Sequence, residues 1–303
     1  MELALIAFRQ IFMMLMLMAL GLLCAKTGLI DEPTNGKLSN LLLYIIAPAL
    51  IFSSFLRPLE AELITGLIIA LGLSIVSYAI KLIVTTLIYS KNNDLNRPID
   101  KFACVYANAG FIGIPLIQGV FGSEGVFYLT AYITMFQLLN WTHGLMIMSG
   151  QVSFTHFTKA LRSPAIISIA IGFLVFVSQI NLPDLVTEPI SMLAAMNAPL
   201  AMMVAGYAMS KANVKKIITN PKIYKICFIR LVLIPLLVIG AFFFFNIPTF
   251  IAGPIIIATA CPVAINIILF AYRYERDDTY ATELVISSTI LSMLTIPLLL
   301  LLI

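Results

Sequence analysis

Tyr106-Ala-Asn108-Ala-Gly110-Phe-Ile-Gly113-Ile-Pro115-Leu116 interrupts an otherwise apolar run covering residues 102–121. A polar amide, two glycines and a proline fall within a turn or two of its middle. Proline lacks an N–H, and its ring clashes with the carbonyl one turn back, so the hydrogen-bond ladder of a helix opens there. The design recurs as Thr259-Ala-Cys261-Pro262-Val-Ala-Ile-Asn266 in the run 250–272. Each break predicts a fresh half-helix near its proline, starting with unpaired N–H groups and the positive end of a helix dipole. Two such ends facing one central space favour an anion and disfavour a cation.

The rest of the chain says what surrounds these breaks. Of 303 residues, 61% are hydrophobic and 11% charged; soluble domains sit near half apolar and a quarter charged. Apolar runs of roughly 20 residues, long enough to cross a hydrocarbon core about 30 Å thick, recur throughout. Ten candidate spans cover 3–25, 38–55, 63–89, 102–121, 126–148, 164–180, 190–209, 223–245, 250–272 and 281–303. In lipid every backbone amide needs an internal partner, so these runs are helices. The fold class is an all-α polytopic membrane protein. The first span lacks a signal peptide's basic start and cleavage site and reads as a retained helix. Cys24, Cys104, Cys227 and Cys261 lie in or beside apolar runs without metal-ligand spacing, and read as reduced packing residues. No cofactor or metal is implied, no nucleophile–base pair stands out, and the bilayer is the obvious partner. The formal charge of +4 is spread among loops and does not point to nucleic acid.

Charge placement orients the stack. The loops after spans one, three, five, seven and nine hold Lys26, Lys37, Lys91, Arg97, Lys101, Lys159, Arg162, Lys211, Lys215, Lys216, Lys222, Lys225, Arg273 and Arg276, whereas the opposite loops hold only Arg57. Basic loop residues mark the cytoplasm, so both termini are expected outside the plasma membrane, a bacterial inner membrane by this reading. Five spans in each half make residues 151–303 an inverted repeat of 1–150. The punctuation agrees: Tyr44-Ile-Ile-Ala-Pro48-Ala-Leu in span two answers Met196-Asn-Ala-Pro199-Leu-Ala-Met in span seven, and Pro115 answers Pro262. Both pairs lie about half the chain apart. Matching interruptions in inverted halves point to a transporter's binding site; chance placement of prolines in membrane helices is the competing reading.

Asn108 precedes its proline and Asn266 follows its own. Span four runs outward and span nine inward, so both amides fall just cytoplasmic of the breaks and can donate to one carboxylate. Alternatively, each pairs with backbone freed by a kink. Thr130, Thr134, Gln137 and Asn140 share a face of span five, beside Trp141, the single tryptophan; Ser288, Ser292 and Thr295 follow helical spacing on span ten. They line a path or act as the hydroxyl glue of membrane helices. Ionisable groups inside a membrane are functional candidates by default. Lys81 either snorkels to the cytoplasmic interface, the favoured reading, or lends charge to the pathway. Arg9 and Arg230 are read as snorkelling. His143 is read as a packed, hydrogen-bonded residue ahead of a proton relay. Glu283, at the start of span ten, is the acid nearest a span centre, and no carboxylate is expected to be buried.

These motifs resemble the auxin efflux carrier family, which includes bacterial malate and malonate permease-like proteins. The resemblance covers nearly the whole chain. It lies in Lys37-Leu-Ser-Asn-Leu-Leu-Leu-Tyr44 running into Pro48-Ala-Leu-Ile-Phe52, in 108–116, in Asn140-Trp-Thr-His-Gly144, in 262–274, and in Ser287-Ser-Thr-Ile-Leu-Ser292 ending at Pro297. It implies ten helices in two inverted repeats, with the fourth and ninth crossing at their prolines. It implies a scaffold of helices one, two, six and seven, with Pro48 and Pro199 as its helix breaks, and a mobile unit from the remaining helices. It also implies a homodimer, an elevator-like motion, and substrate carboxylate contacts at Asn108 and Asn266 within a site that includes Gly110, Gly113, Pro115, Cys261 and Pro262. The expected function is a secondary transporter of a small organic anion, a mono- or dicarboxylate, with potential-driven export the simplest mode. Na⁺- or H⁺-coupled uptake, or a non-transporting sensor on the same fold, are the alternatives.

Overall fold

The computed structural model describes residues 2–90, 95–150, 158, 161–211, 217, 219–245 and 247–302. Lys91, Lys159, Lys215 and Lys216, four of the basic loop residues, lie outside the described residues. The described chain is helical: α1 (Glu2–Lys26), α2 (Glu32–Ser53), α3 (Ala61–Tyr89), α4 (Arg97–Val105), α5 (Ala109–Ser149), α6 (Pro164–Ser178), α7 (Asp184–Ser210), α8 (Pro221–Phe243), α9 (Thr249–Ala260), α10 (Asn266–Arg273) and α11 (Asp278–Leu300). Their starts follow the usual capping chemistry. Asp31, Ser163, Asn220 and Asp277 each accept a backbone N–H from the first turn of the helix they open, and Pro164 and Pro221 take first helical positions, where no N–H is needed.

Among the described residues, seven helices are long and apolar enough to cross a membrane. The difference from ten spans has three local causes. The fourth run is split at 106–108 between α4 and α5. The helical path of α5 continues through Gly122, whose φ of 66° and ψ of −161° bend it sharply, so α5 carries what the sequence divides between spans four and five. Helices α6 and α9 are only 15 and 12 residues long.

Proline also explains most of the widened turns. The π-helical segments Leu42–Ile46, Ala109–Gly113 and Ile229–Leu233 each end just before Pro48, Pro115 or Pro235. In every case the carbonyl four residues before the proline lies inside the wide turn, which moves it away from the ring. Pro199, by contrast, follows a turn at Met196 that interrupts α7.

Two packing groups result. Helices α1 and α7 touch backbone to backbone: a Cβ on Gly21 would stand 2.3 Å from the Met203 carbonyl oxygen, and one on Gly206 would stand 2.1 Å from that of Met18. Helix α2 packs on α6 and α7. In the second group α3, α5 and α9 pack on one another, α8 lies against α9, and α10 lies against α11.

Candidate functional site

Two short extended segments lie at the centre of the second group. Helix α4 stops at Val105 and α9 at Ala260, and the segments that follow pair antiparallel through Ala107 and Val263. The Asn108 N–H donates to the Pro262 carbonyl at 2.8 Å, and the Ala264 N–H donates to the Tyr106 carbonyl at 3.0 Å. This pair satisfies backbone groups that neither helix can serve, which is how irregular backbone persists inside an apolar bundle. Neighbours brace the junction. Ser288 on α11 accepts the Val263 N–H at 3.1 Å, Arg230 on α8 donates to the Cys261 carbonyl at 2.9 Å, and Ser77 on α3 shares a 2.7 Å hydrogen bond with Thr259.

Helix α5 restarts at Ala109, six residues before Pro115, rather than at the proline. Asn108 caps it: its side-chain oxygen accepts the Phe111 N–H at 3.3 Å. With that oxygen engaged, the amide NH₂ is the donor left for a ligand. Asn108 thus serves backbone freed by the break and still presents a donor. Helix α10 restarts at Asn266.

The starts of α5 and α10 line one cavity of about 260 Å³. Asn108, Gly110, Gln137 and Asn266 contribute to it, together with the polar Tyr44, Asn40, Trp141 and Ser163 and the apolar Phe111, Ile133, Phe136 and Phe270. No formally charged side chain is among the described residues that line it. Its volume lies below the range typical for drug-sized ligands, so a small solute fits.

The remaining candidates serve the junction or the packing. Gly113 lets α5 approach it, because a Cβ there would stand 3.2 Å from the Cys261 sulfur. The carbonyl of Pro115 accepts from Gln10 of α1 at 3.3 Å. Thr134 bonds back to the Thr130 carbonyl, and Ser292 to that of Thr289, both within their own helices. Asn140 is buried with neither amide atom partnered. His143 Nδ1 lies 2.9 Å from the Tyr106 hydroxyl, in the hydrogen-bonded setting expected of it. All four cysteines are free and buried.

Three expectations are overturned. Lys81 and Arg230 do not snorkel: both are 0% exposed, packed behind the junction. Carboxylates are buried as well. Glu283 is 7% exposed, with one oxygen unpartnered, and borders a crevice of about 480 Å³ with Asn220 and Lys222; Asp100 is 4% exposed and accepts from the Tyr280 hydroxyl at 3.0 Å. The sequence reading also missed the contribution of Asn40, Tyr44 and Ser163 to the cavity. Asn40 and Tyr44 fall in the motif that begins at Lys37, but nothing in their spacing shows that they share a cavity with Asn108.

The sequence pattern of a family described as membrane transport protein matches residues 6–153 and 148–300. The chain is 23% identical over 294 residues to an uncharacterised transporter of Methanothermobacter thermautotrophicus, covering 94% of each chain. It is 23% identical over 300 residues to an uncharacterised transporter of Methanocaldococcus jannaschii, covering 95% of this chain and 96% of that one.

Proposed function

The chain belongs to the membrane transport protein family, and on that premise we propose that it is a secondary transporter of a small organic anion, with Asn108 and Asn266 as donors to the substrate carboxylate. The observation that carries this reading is the shared cavity into which two helix starts bring both asparagine side chains. Unpaired N–H groups, two amides and two dipole ends favour negative charge, and none of the described lining residues is a carboxylate that would oppose it. Counting the bend at Gly122 and joining α4 to the first part of α5, and α9 to α10, gives ten crossings in two inverted halves. The basic loops then put both termini outside a plasma membrane. In that frame Asn40, Trp141 and Ser163 lie toward the cytoplasmic ends of their helices, so the cavity is open inward and positioned to load substrate from the cytoplasm. Helices α1, α2, α6 and α7 serve as the scaffold against which the junction group moves, and the assembly is a homodimer.

Export of an anion needs no coupling ion, because an inside-negative potential is worth about 2.3 kcal/mol per charge per 100 mV. Proteoliposomes loaded with small carboxylates and given an imposed inside-negative potential are expected to release them faster than at zero potential, and a variant carrying both Asn108→Ala and Asn266→Ala is expected not to. Efflux indifferent to potential sinks the export mode; efflux unchanged in the double variant sinks the site. Cation-coupled uptake is the second reading, and the buried carboxylate of Glu283 favours it. Uptake that depends on a Na⁺ or H⁺ gradient in the same vesicles would select it.

A further inference from the structure

Arg57, the single basic residue of the loops opposite the basic ones, joins the two packing groups. Its Nε donates to the Ser54 carbonyl, at the end of α2, at 2.8 Å. Gln179, at the end of α6, fastens the same loop: its Oε1 accepts the Leu59 N–H at 3.0 Å, and its Nε2 donates to the Arg57 carbonyl at 3.4 Å. The backbone of Arg57 is thus tied to the group of α2 and α6. Its guanidinium reaches α5, in the other group. There it donates to the Ser123 hydroxyl at 3.1 Å, stands 4.0 Å from the Glu124 carboxylate and lies 5.2 Å from the centre of the Phe127 ring. The Tyr128 hydroxyl donates to the same carboxylate at 3.2 Å. Rings span the same boundary: Phe55, just past α2, is 5.1 Å from Phe127, which is 5.3 Å from Phe176 of α6.

Ser123 and Glu124 follow directly on the bend at Gly122, which is the outer turn of α5 in the orientation read from the basic loops. In that frame the cavity opens inward, and Arg57 ties the two groups together at the opposite end. A group that moves against a scaffold has to part the contacts that hold it there. The Arg57 side chain is 14% exposed and that of Glu124 39%, and an ion pair so placed changes an equilibrium by no more than about fivefold. The ring contact adds a factor of similar size. Contacts of this strength bias a conformational equilibrium and still break on every cycle.

Resting on the reading that the junction group moves against the scaffold, and on no particular substrate, we propose that Arg57 is an outer latch. Its contacts with Ser123, Glu124 and Phe127 exist while the outer side is closed and part when it opens, so they favour the inward-open form.

The test reads accessibility rather than transport. Gln137→Cys places a thiol in the cavity lining, and the native cysteines, all buried, supply the background to subtract. An impermeant thiol reagent is applied outside intact cells or to the cytoplasmic face of inside-out vesicles. This parent is expected to react faster from the cytoplasmic face than from outside. Arg57→Glu, which sets two carboxylates against each other, is expected to raise the outside rate at least about threefold. Glu124→Arg is expected to do the same by opposing two cations, and covers the case in which Arg57→Glu does not fold. The double variant restores the pair with its charges exchanged and is expected to return to within about twofold of the parent. A merely structural role would lower the melting temperature without that recovery. Unchanged outside rates in the single variants that fold, or a double variant as fast as the singles, overturns the latch while the moving-group reading stands. A parent that reacts no faster from the cytoplasmic face sinks the inward-open reading, and the latch with it.

Discussion

Asn108 uses its amide oxygen to cap α5, and in the proposed site its amide nitrogen donates to the guest; the two roles are separable. Asp at an N-cap is as good an acceptor as Asn, but it brings a negative charge into the proposed anion site. Asn108→Asp is therefore expected to melt within a few degrees of wild type while losing at least about tenfold in anion affinity. Equal losses of stability and affinity would mean that the residue only caps. The hydroxyls divide in the same manner. Ser288 accepts the buried Val263 N–H, so Ser288→Ala leaves that donor unsatisfied and is expected to cost about 1–3 kcal/mol in unfolding experiments. Thr134 only bonds back to its own helix, and Thr134→Ala should change stability by less than about 0.5 kcal/mol. Residue types and breaks were readable from the sequence; side-chain direction was not. Lys81 lies eight residues before the end of α3, compatible with a snorkelling reach or a buried one, and only its packing against Tyr78 and Tyr132 decides between them. Asp100 was hidden in the same way, because its partner Tyr280 lies 180 positions along the chain.

At the scale of elements, proline marks where helices widen but not where they restart. Pro48, Pro115 and Pro235 each follow a wide turn, a regularity legible from the ring alone. The restart of α5 at Ala109 depends on the pairing of 106–108 with the segment after α9, a long-range contact that local sequence does not encode. Gly122 is the other decisive position. Its φ of 66° with a ψ of −161° is a conformation essentially confined to glycine, so Gly122→Ala is expected to destabilise the protein by about 1–3 kcal/mol, or to straighten α5. A melting temperature equal to wild type, with α5 still bent, would contradict this account of the kink. The half-chain spacing of the prolines was visible from the start, whereas the merging of two spans into one helical path through Gly122 was not.

For the whole molecule, apolar runs fixed the membrane class before any coordinates, and the two packing groups follow from close glycine contacts and buried hydroxyls that periodicity alone does not resolve. The alternation of basic loops predicts that tags at either terminus react with impermeant reagents added outside intact cells, while a cysteine replacing Arg273 does not. Labelling of Arg273→Cys from outside would invert the orientation and, with it, the inward-open reading of the cavity. The claim on which the transport account depends is chemical: two asparagines, delivered by two restarted helices, hold one negatively charged guest. Calorimetric titration of the purified protein with small carboxylates, beside the Asn108→Ala/Asn266→Ala double variant, tests it most directly. Saturable binding by wild type and at least a tenfold weaker Kd in a folded double variant, a difference of about 1.4 kcal/mol, is the predicted result; equal binding by both proteins would contradict it.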